Sequence, residues 1–289
     1  MPVRAARNVW RLAVKWFLEG SLIIATGICV ILFNGLVQPY QRGFYCLDPT
    51  IAKPFRPNTV SVKLLLLVCL ALPCPVIAVV ETIVAWLKTC QKQAKDGGSN
   101  DVVHLWTQTA KHSVRDVYLF YMEFLFGAIV VIALMHIIKS STGVLRPHFL
   151  DICQPNLTEL ACTQGQYISS TFRCYGNDTA QLRKARESFP SGHAASSVYA
   201  LLFLWLYLSE RSRQIAHRSF QLAKLLFRLL FCAFTVVCCV TRVTDNWHHV
   251  SDVLGGIVLG SGVVLVCWGR KGITQAAHRH MAILEATAS

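Results

Sequence analysis

Six apolar runs, each about as long as a bilayer is thick, constrain this chain more than any other feature. They lie near 21–39, 61–87, 117–138, 192–208, 225–241 and 252–268. A spanning helix needs ~20 apolar residues, and a backbone in hydrocarbon must satisfy its own N–H and C=O groups. The runs therefore predict an all-α, polytopic membrane protein, with six transmembrane helices in one bundle. Charged residues make up only 15% of the chain and hydrophobic ones 54%, where soluble domains carry about 25% charged. The first run follows Arg4, Arg7, Arg11 and Lys15 and has no small-residue cleavage site, so it reads as a signal anchor. Pro73 and Pro75 predict a kink in the second run. Glu81 and Glu123 lie inside the second and third runs, near the cytoplasmic end or off the motif face, and read as structural.

Charge sets the expected orientation. The net charge is +13. Its cations are scattered through loops instead of forming a stripe, which points away from a nucleic-acid partner. The N-terminal segment, the linkers 88–113 and 209–224, and the tail are all basic. An even number of spans places these on one side, the cytosol. The expectation is a single domain over 1–289, with residues 1–20 and the tail 269–289 cytosolic. Loops 40–60, 139–190 and 242–251 then share the other face, and 139–190 is the large extracellular or lumenal loop. In that loop Arg183, Lys184 and Arg186 read as a solvated charge cluster, with attraction of anionic lipid headgroups as the alternative.

Twelve cysteines are present, with no C-x-x-C pair. Those in apolar runs behave as small hydrophobes. Cys46, Cys153, Cys162 and Cys174 lie in polar loops and are candidates for up to two disulfides. Asn156 and Asn177 begin N-x-T triplets in the large loop and are glycosylation candidates.

Three islands of polar residues stand out at span ends, and all three fall on the non-cytosolic face. The first runs from Lys139 to Arg146-Pro147. The spacing of seven puts both cations on one helix face, and Pro147 ends that helix near Arg146. The guanidinium fork suits phosphate oxygens. The second is Pro190-Ser191-Gly192-His193, which opens the fourth run. A helix start leaves free N–H groups for an anion. Ser191 adds a hydroxyl, and Gly192 allows close backbone approach. The third contains Arg242, His248, His249 and Asp252. His248 and Asp252 are four apart, so the carboxylate can fix the imidazole tautomer and leave the other nitrogen free to attack. Asp245, Trp247 and His249 read as packing or gating residues. Together the islands describe a pocket that holds a phosphate and attacks it.

The three motifs, K-x6-RP, PSGH and R-x5-H-x3-D, resemble the signature of the type-2 phosphatidate phosphatase superfamily, which includes vanadium haloperoxidases. The extended stretches Arg146–Asp151 and Arg42–Cys46, with His248-His249, are similar to its lipid phosphate phosphatase branch. Thr241 stands where the family usually has serine, and Trp247 where lysine is common. The resemblance implies that His248 is the nucleophile, oriented by Asp252, with His193 as general acid. It implies that Lys139, Arg146, Ser191, Gly192 and Arg242 hold the phosphate, with no cofactor and no metal. The substrates it implies are membrane lipid phosphates: phosphatidate, lysophosphatidate, sphingosine 1-phosphate and ceramide 1-phosphate. It also implies homo-oligomers, for which the sequence itself offers no feature. The expected location is the plasma membrane with an extracellular site, or an internal membrane with a lumenal one.

Two other readings share the fold: a lipid phosphotransferase and a catalytically silent lipid-binding scaffold. The intact first motif and small loops weigh against the former. Both histidines and the lysine are present, which weighs against the latter. A transporter predicts inverted repeats, and the sequence contains none.

Overall fold

Hydropathy decides where the helices run, and local chemistry decides where they stop. The computed structural model describes residues 37–96 and 102–287, together with residues 20, 21, 24, 25, 27 and 28. In chain order the elements are β1 (Phe44–Tyr45), α1 (Val62–Leu66), α2 (Pro73–Asp96), α3 (Val102–Thr142) and α4 (Phe149–Cys153). There follow β2 (Tyr167–Ile168), α5 (Thr179–Ala185), α6 (Gly192–Arg211), α7 (Arg218–Thr244) and α8 (Val250–Thr287). Among the described residues five helical segments are long and apolar enough to cross a membrane. The first expected run, 21–39, lies largely outside the described residues. The chain is a mostly helical, polytopic membrane protein.

Two helix ends differ from the sequence reading. The break in the second run is a π-helical turn over Leu67–Ala71, between α1 and α2, where the Leu72 N–H reaches back to the Leu67 carbonyl. Pro73 and Pro75 then sit in the first turn of α2, where their missing N–H groups cost nothing. Helix α3 stops at Thr142 and not near Arg146. Gly143 takes a φ of +57°, and a Cβ there would lie 2.0 Å from the Tyr40 carbonyl oxygen. A left-handed glycine after the last turn ends a helix before proline can act. Lys139 and Arg146 therefore do not share a helix face.

Helix α6 is the centre of the bundle. Tyr199, Phe203 and Tyr207 recur every four residues, so they form one buried stripe. Phe124 of α3 packs on Tyr199 and Phe203, with ring centres 5.5 and 5.1 Å apart. The Tyr199 hydroxyl donates to the Phe124 carbonyl at 2.8 Å, so its burial leaves no polar atom unpaired. On the other flank α8 approaches closely. A Cβ on Gly256 would lie 2.5 Å from the Ser191 carbonyl, and one on Gly260 would lie 2.4 Å from that of Ala195. Small residues permit the close van der Waals packing that replaces the hydrophobic effect inside a bilayer. That packing places the first turns of α6 and α8 side by side. By contrast, Leu222, Leu225, Leu229 and Val236 of α7 are exposed, as a lipid-facing surface requires.

A small cap covers one end of the bundle. Its core contains Phe44, Ile51, Leu145, Phe149 and Ile168. Strands β1 and β2 pair antiparallel, with Phe44 opposite Ile168. Disulfides join Cys46 to Cys162 and Cys153 to Cys174. Arg186 is not part of a solvated cluster. It is buried, with its guanidinium 4.9 Å from the Phe149 ring centre and 5.2 Å from that of Phe172. Arg183 pairs with Glu187 at 3.5 Å and donates to the Val37 carbonyl, and only Lys184 of the three is exposed. The cap core recruits the arginine because aromatic faces and carbonyls replace its water. Asn156 and Asn177 lie exposed on the cap surface.

Candidate active site

Three buried cations converge beneath the cap. Lys139 sits in the last turn of α3, and Arg242 in the last turn of α7. Helix C-termini favour positive charge. The Lys139 Nζ donates to the Glu187 carbonyl at 2.8 Å. Past Gly143 the chain runs extended against residues 185–188. The Arg146 N–H reaches the Ala185 carbonyl, and the Ser188 N–H reaches that of Val144. Arg146 Nη2 then donates to the same Glu187 carbonyl at 3.3 Å. Its guanidinium lies 4.8 Å from the centre of the Trp247 ring. Trp247 thus orients a cation. Burial lowers Arg146 to about 10, against the opposing pull of Glu187 and Asp252, and it remains charged at neutral pH. Arg242 is 1% exposed and donates to Asn58 Oδ1, to Asp245 and to the Val60 carbonyl. The Glu187 carboxylate turns away to Arg183.

Both histidines lie within reach of the charges of Arg146 and Lys139. His193 is the second residue of α6, and its Nε2 is 3.1 Å from the Val60 carbonyl oxygen, which leaves Nδ1 as its other ring nitrogen. The fields of Arg242, Arg146 and Lys139 all reach it. His248 is buried just before α8. Its N–H donates to the Arg242 carbonyl at 3.0 Å, in a turn that Asn246 closes with φ +59°. His248 Nδ1 faces Asp252 Oδ2 at 3.6 Å, an ion-pair separation too long for a hydrogen bond. Burial above all pushes His248 well below its usual range. Asp252 pulls the other way, and Arg146 and Lys139 push it down further. The ring is therefore neutral at physiological pH, with a lone pair to use.

Asp252 is held from several directions. Its Oδ2 accepts from Ser188 Oγ at 2.6 Å and from the His249 N–H at 2.8 Å, and His249 Nδ1 lies 3.3 Å away. Its backbone carbonyl accepts the Ser191 N–H at 2.9 Å, which ties the second island to the third. Ser191 caps α6 without a side-chain bond to the helix, so its hydroxyl is not consumed there. Gly192 serves packing more than ligand approach, because a Cβ there would lie 2.6 Å from Met135 Sδ.

Sequence reasoning missed a strap, residues 50–60, that crosses all three islands. Lys53 N–H donates to the Pro147 carbonyl at 2.8 Å. Asn246 Nδ2 donates to the Pro54 carbonyl, and Trp247 Nε1 to that of Arg56. Thr59 donates from both N–H and Oγ1 to Asp245, which in turn pairs with Arg242 at 3.4 Å. Asp245 is thus a clamp between strap and cation. The partners of the strap lie more than a hundred residues away in sequence, or close to it, so no local pattern signals them. Ser188 is the second omission; its place two residues before Pro190 was the available cue.

Four atoms here are buried without a hydrogen-bond partner: Arg146 Nε, Ser191 Oγ, Arg242 Nε and His248 Nδ1. They are four of the seven such side-chain atoms among the described residues. Buried polar atoms are rarely left unpaired. Three donors of that kind among three cations suit an anion with several oxygens, such as a phosphate.

Sequence comparison defines the class to which this arrangement belongs. A profile described as the PAP2 superfamily matches residues 120–272. Phospholipid phosphatase 1 of Rattus norvegicus is 32% identical over 249 residues, covering 86% of this chain and 82% of the relative. Phospholipid phosphatase 2 of the same species is 31% identical over 253 residues, covering 87% and 84%. No solved structure matches the chain. The chain belongs to the PAP2 superfamily and, within it, to the lipid phosphate phosphatases.

Proposed function

We propose that this enzyme hydrolyses lipid phosphomonoesters through a phosphohistidine on His248, without a metal. Its substrates in this reading are phosphatidate, lysophosphatidate, sphingosine 1-phosphate and ceramide 1-phosphate. The observation that carries the reading is the set of unpaired buried donors on Arg146, Ser191 and Arg242 beside the neutral His248.

Phosphoryl transfer depends on in-line positioning and on neutralising the equatorial oxygens. Lys139, Arg146 and Arg242 supply the positive charge that metal ions supply elsewhere. Ser191 Oγ and the free N–H groups at the start of α6, at Gly192 and His193, complete the cradle. Asp252 favours a proton on His248 Nδ1, and the Nε2 lone pair attacks phosphorus. The P–O bond to the lipid breaks, and its electron pair stays on the leaving oxygen. His193 takes a proton on Nδ1 once the bound phosphate dianion offsets the three cations, and with Nε2–H resting on the Val60 carbonyl it gives that proton to the leaving oxygen. Asp252 balances the charge gained by His248. In the second step the now neutral His193 takes a proton from water. The hydroxide formed attacks phosphorus, the P–N bond breaks, and inorganic phosphate leaves.

The same proposal includes six spans in one domain, the first within 21–39, with 1–20 and 269–289 in the cytosol. The site then faces outside the plasma membrane, or the lumen of an internal one. The basic cytosolic segments support this sidedness, as do the two disulfides in the cap and the exposed acceptors Asn156 and Asn177.

The test is phosphate release from phosphatidate in detergent micelles with EDTA, for wild type and His248→Ala. Release by wild type and a loss of at least ~10³-fold in the variant are expected. Equal rates, or dependence on added metal, would overturn the mechanism.

A further inference from the structure

A cavity of about 270 Å³ leads to His248 from the outer surface. Its walls include Pro147, His249 and Val250, with Thr50 and Lys53 contributed by the strap. Lys139, Arg146 and Arg242 are not among them. Lys53 is the one lysine or arginine on that wall. It differs from the three site cations in two respects. They are buried and anchored to carbonyls or carboxylates, whereas Lys53 is exposed and its side chain has no partner among the described residues. Its place is nevertheless fixed, because its N–H is bonded to the carbonyl of Pro147, the residue after Arg146. A flexible side chain on a fixed backbone, on the wall of the cavity that reaches His248, sits beside whatever part of the substrate remains outside the buried cradle.

We infer that Lys53 is a specificity-determining residue, which disfavours lipid phosphates that carry an ammonium next to the phosphate ester. This rests on the hydrolase reading above and narrows its substrate class. The relevant chemistry separates two of the candidate substrates. Sphingosine 1-phosphate has a protonated amine on the carbon adjacent to the phosphorylated one. Ceramide 1-phosphate has a neutral amide at the same position on the same backbone. Lys53 and His248 line the same cavity, so a substituent next to the phosphorus that His248 attacks lies on the side that Lys53 faces. Like charges there oppose each other, over a range that physiological salt limits to about 8 Å. The amide carbonyl, and the ester carbonyl or hydroxyl of glycerol lipids, accept from the lysine instead.

The experiment compares kcat/KM for sphingosine 1-phosphate with that for ceramide 1-phosphate in neutral micelles, for wild type, Lys53→Met and Lys53→Glu. Differences in micelle partitioning cancel, because the same lipid pair is used throughout. The ratio should rise about 3-fold in Lys53→Met and about 10-fold in Lys53→Glu, on the scale of one unit charge in a half-wet site. The spread should shrink as salt is raised. A ratio that stays within twofold in both variants, or falls in Lys53→Glu, would overturn the assignment to Lys53 while phosphate release continues. An absence of release by wild type from either lipid would instead overturn the hydrolase reading, and this inference with it.

Discussion

The two ends of this bundle both bury charge, and they handle it in opposite ways. At the end away from the cap, Glu81 is fully buried, yet every partner is in place. Arg211 grips both of its oxygens, the Tyr207 hydroxyl donates to it at 2.8 Å, and Asp116 accepts from Arg211 at 3.2 Å. Under the cap, two buried arginines, Arg146 and Arg242, and the Ser191 hydroxyl retain donors with no partner, and His248 retains an unpaired ring nitrogen. Structure alone would favour the first arrangement, since unpaired buried polar atoms each cost ~1–3 kcal/mol. In the hydrolase reading proposed above, the phosphate of the substrate would supply the partners that Arg146, Ser191 and Arg242 lack, while His248 Nδ1 faces Asp252 at 3.6 Å. Substitutions should therefore separate activity from stability according to the end they strike.

The largest effect belongs to Asp252→Asn. The amide oxygen can still accept from Ser188 Oγ and the His249 N–H, so the first turn of α8 keeps its ties. It cannot balance the charge on His248 or enforce the tautomer. A fall in kcat of roughly 10³–10⁴-fold is expected, as for the loss of an orienting carboxylate in other triads. The unfolding midpoint in the same detergent should stay within about 4 °C. A variant that loses stability in proportion to activity would erase the distinction between the ends.

Glu81→Ala is the converse. It strands Arg211 with one partly exposed carboxylate and takes the acceptor from Tyr207. Removing one member of a buried pair costs about 3–5 kcal/mol. Turnover per folded molecule should change less than about twofold, because the nearest site residues of α6 lie some four turns away. Thermal unfolding and micelle turnover on one preparation would decide it, and a large loss of kcat would show coupling along α6.

How far these ends were legible in the sequence depends on the range of the interactions. Span lengths, the basic linkers and the three islands are local patterns, so they could be read without coordinates. The His248–Asp252 spacing survives even though His248 precedes the helix. The spacing of Lys139 and Arg146 misled, because Gly143 ends α3 first. Arg186 looked solvated because its aromatic partners Phe149 and Phe172 lie outside its own local stretch of chain. The strap was invisible for the same reason: Asn58 and Thr59 meet Arg242 and Asp245 only through the fold. The cysteine pairing likewise needed the cap, which brings Cys46 beside Cys162. The far-end pair was half legible, since Glu81 stood out as an intramembrane carboxylate while its partner Arg211 looked like one more linker cation.

The smallest effect concerns acid, and it too should act at one end. His148 lies in the cap end, 2% exposed, with Nδ1 donating to the Asn246 carbonyl at 2.7 Å. Burial first, and Arg146 after it, lower its pKa from 6.5 to about 4, although the Asn246 carbonyl and Asp151 oppose them. In the unfolded chain the ring returns to its ordinary value. Between pH 6.5 and about 4 the unfolded state therefore binds a proton that the folded state refuses. The stability linked to His148 is fully present above pH 6.5 and drains away as pH falls toward 4, with His248 adding the same sign. The loss for His148 is at most about 3 kcal/mol, since each tenfold change in proton affinity is worth ~1.4 kcal/mol. His148→Gln keeps a donor for Asn246 and removes the titration, so its unfolding midpoint should fall less steeply over that interval. The Glu81–Arg211–Tyr207 cluster contains no histidine, so Glu81→Ala should lower the curve without changing its slope there. Parallel curves for wild type and His148→Gln would mean that the acid response does not arise at this residue, and the contrast between the ends would then rest on activity alone.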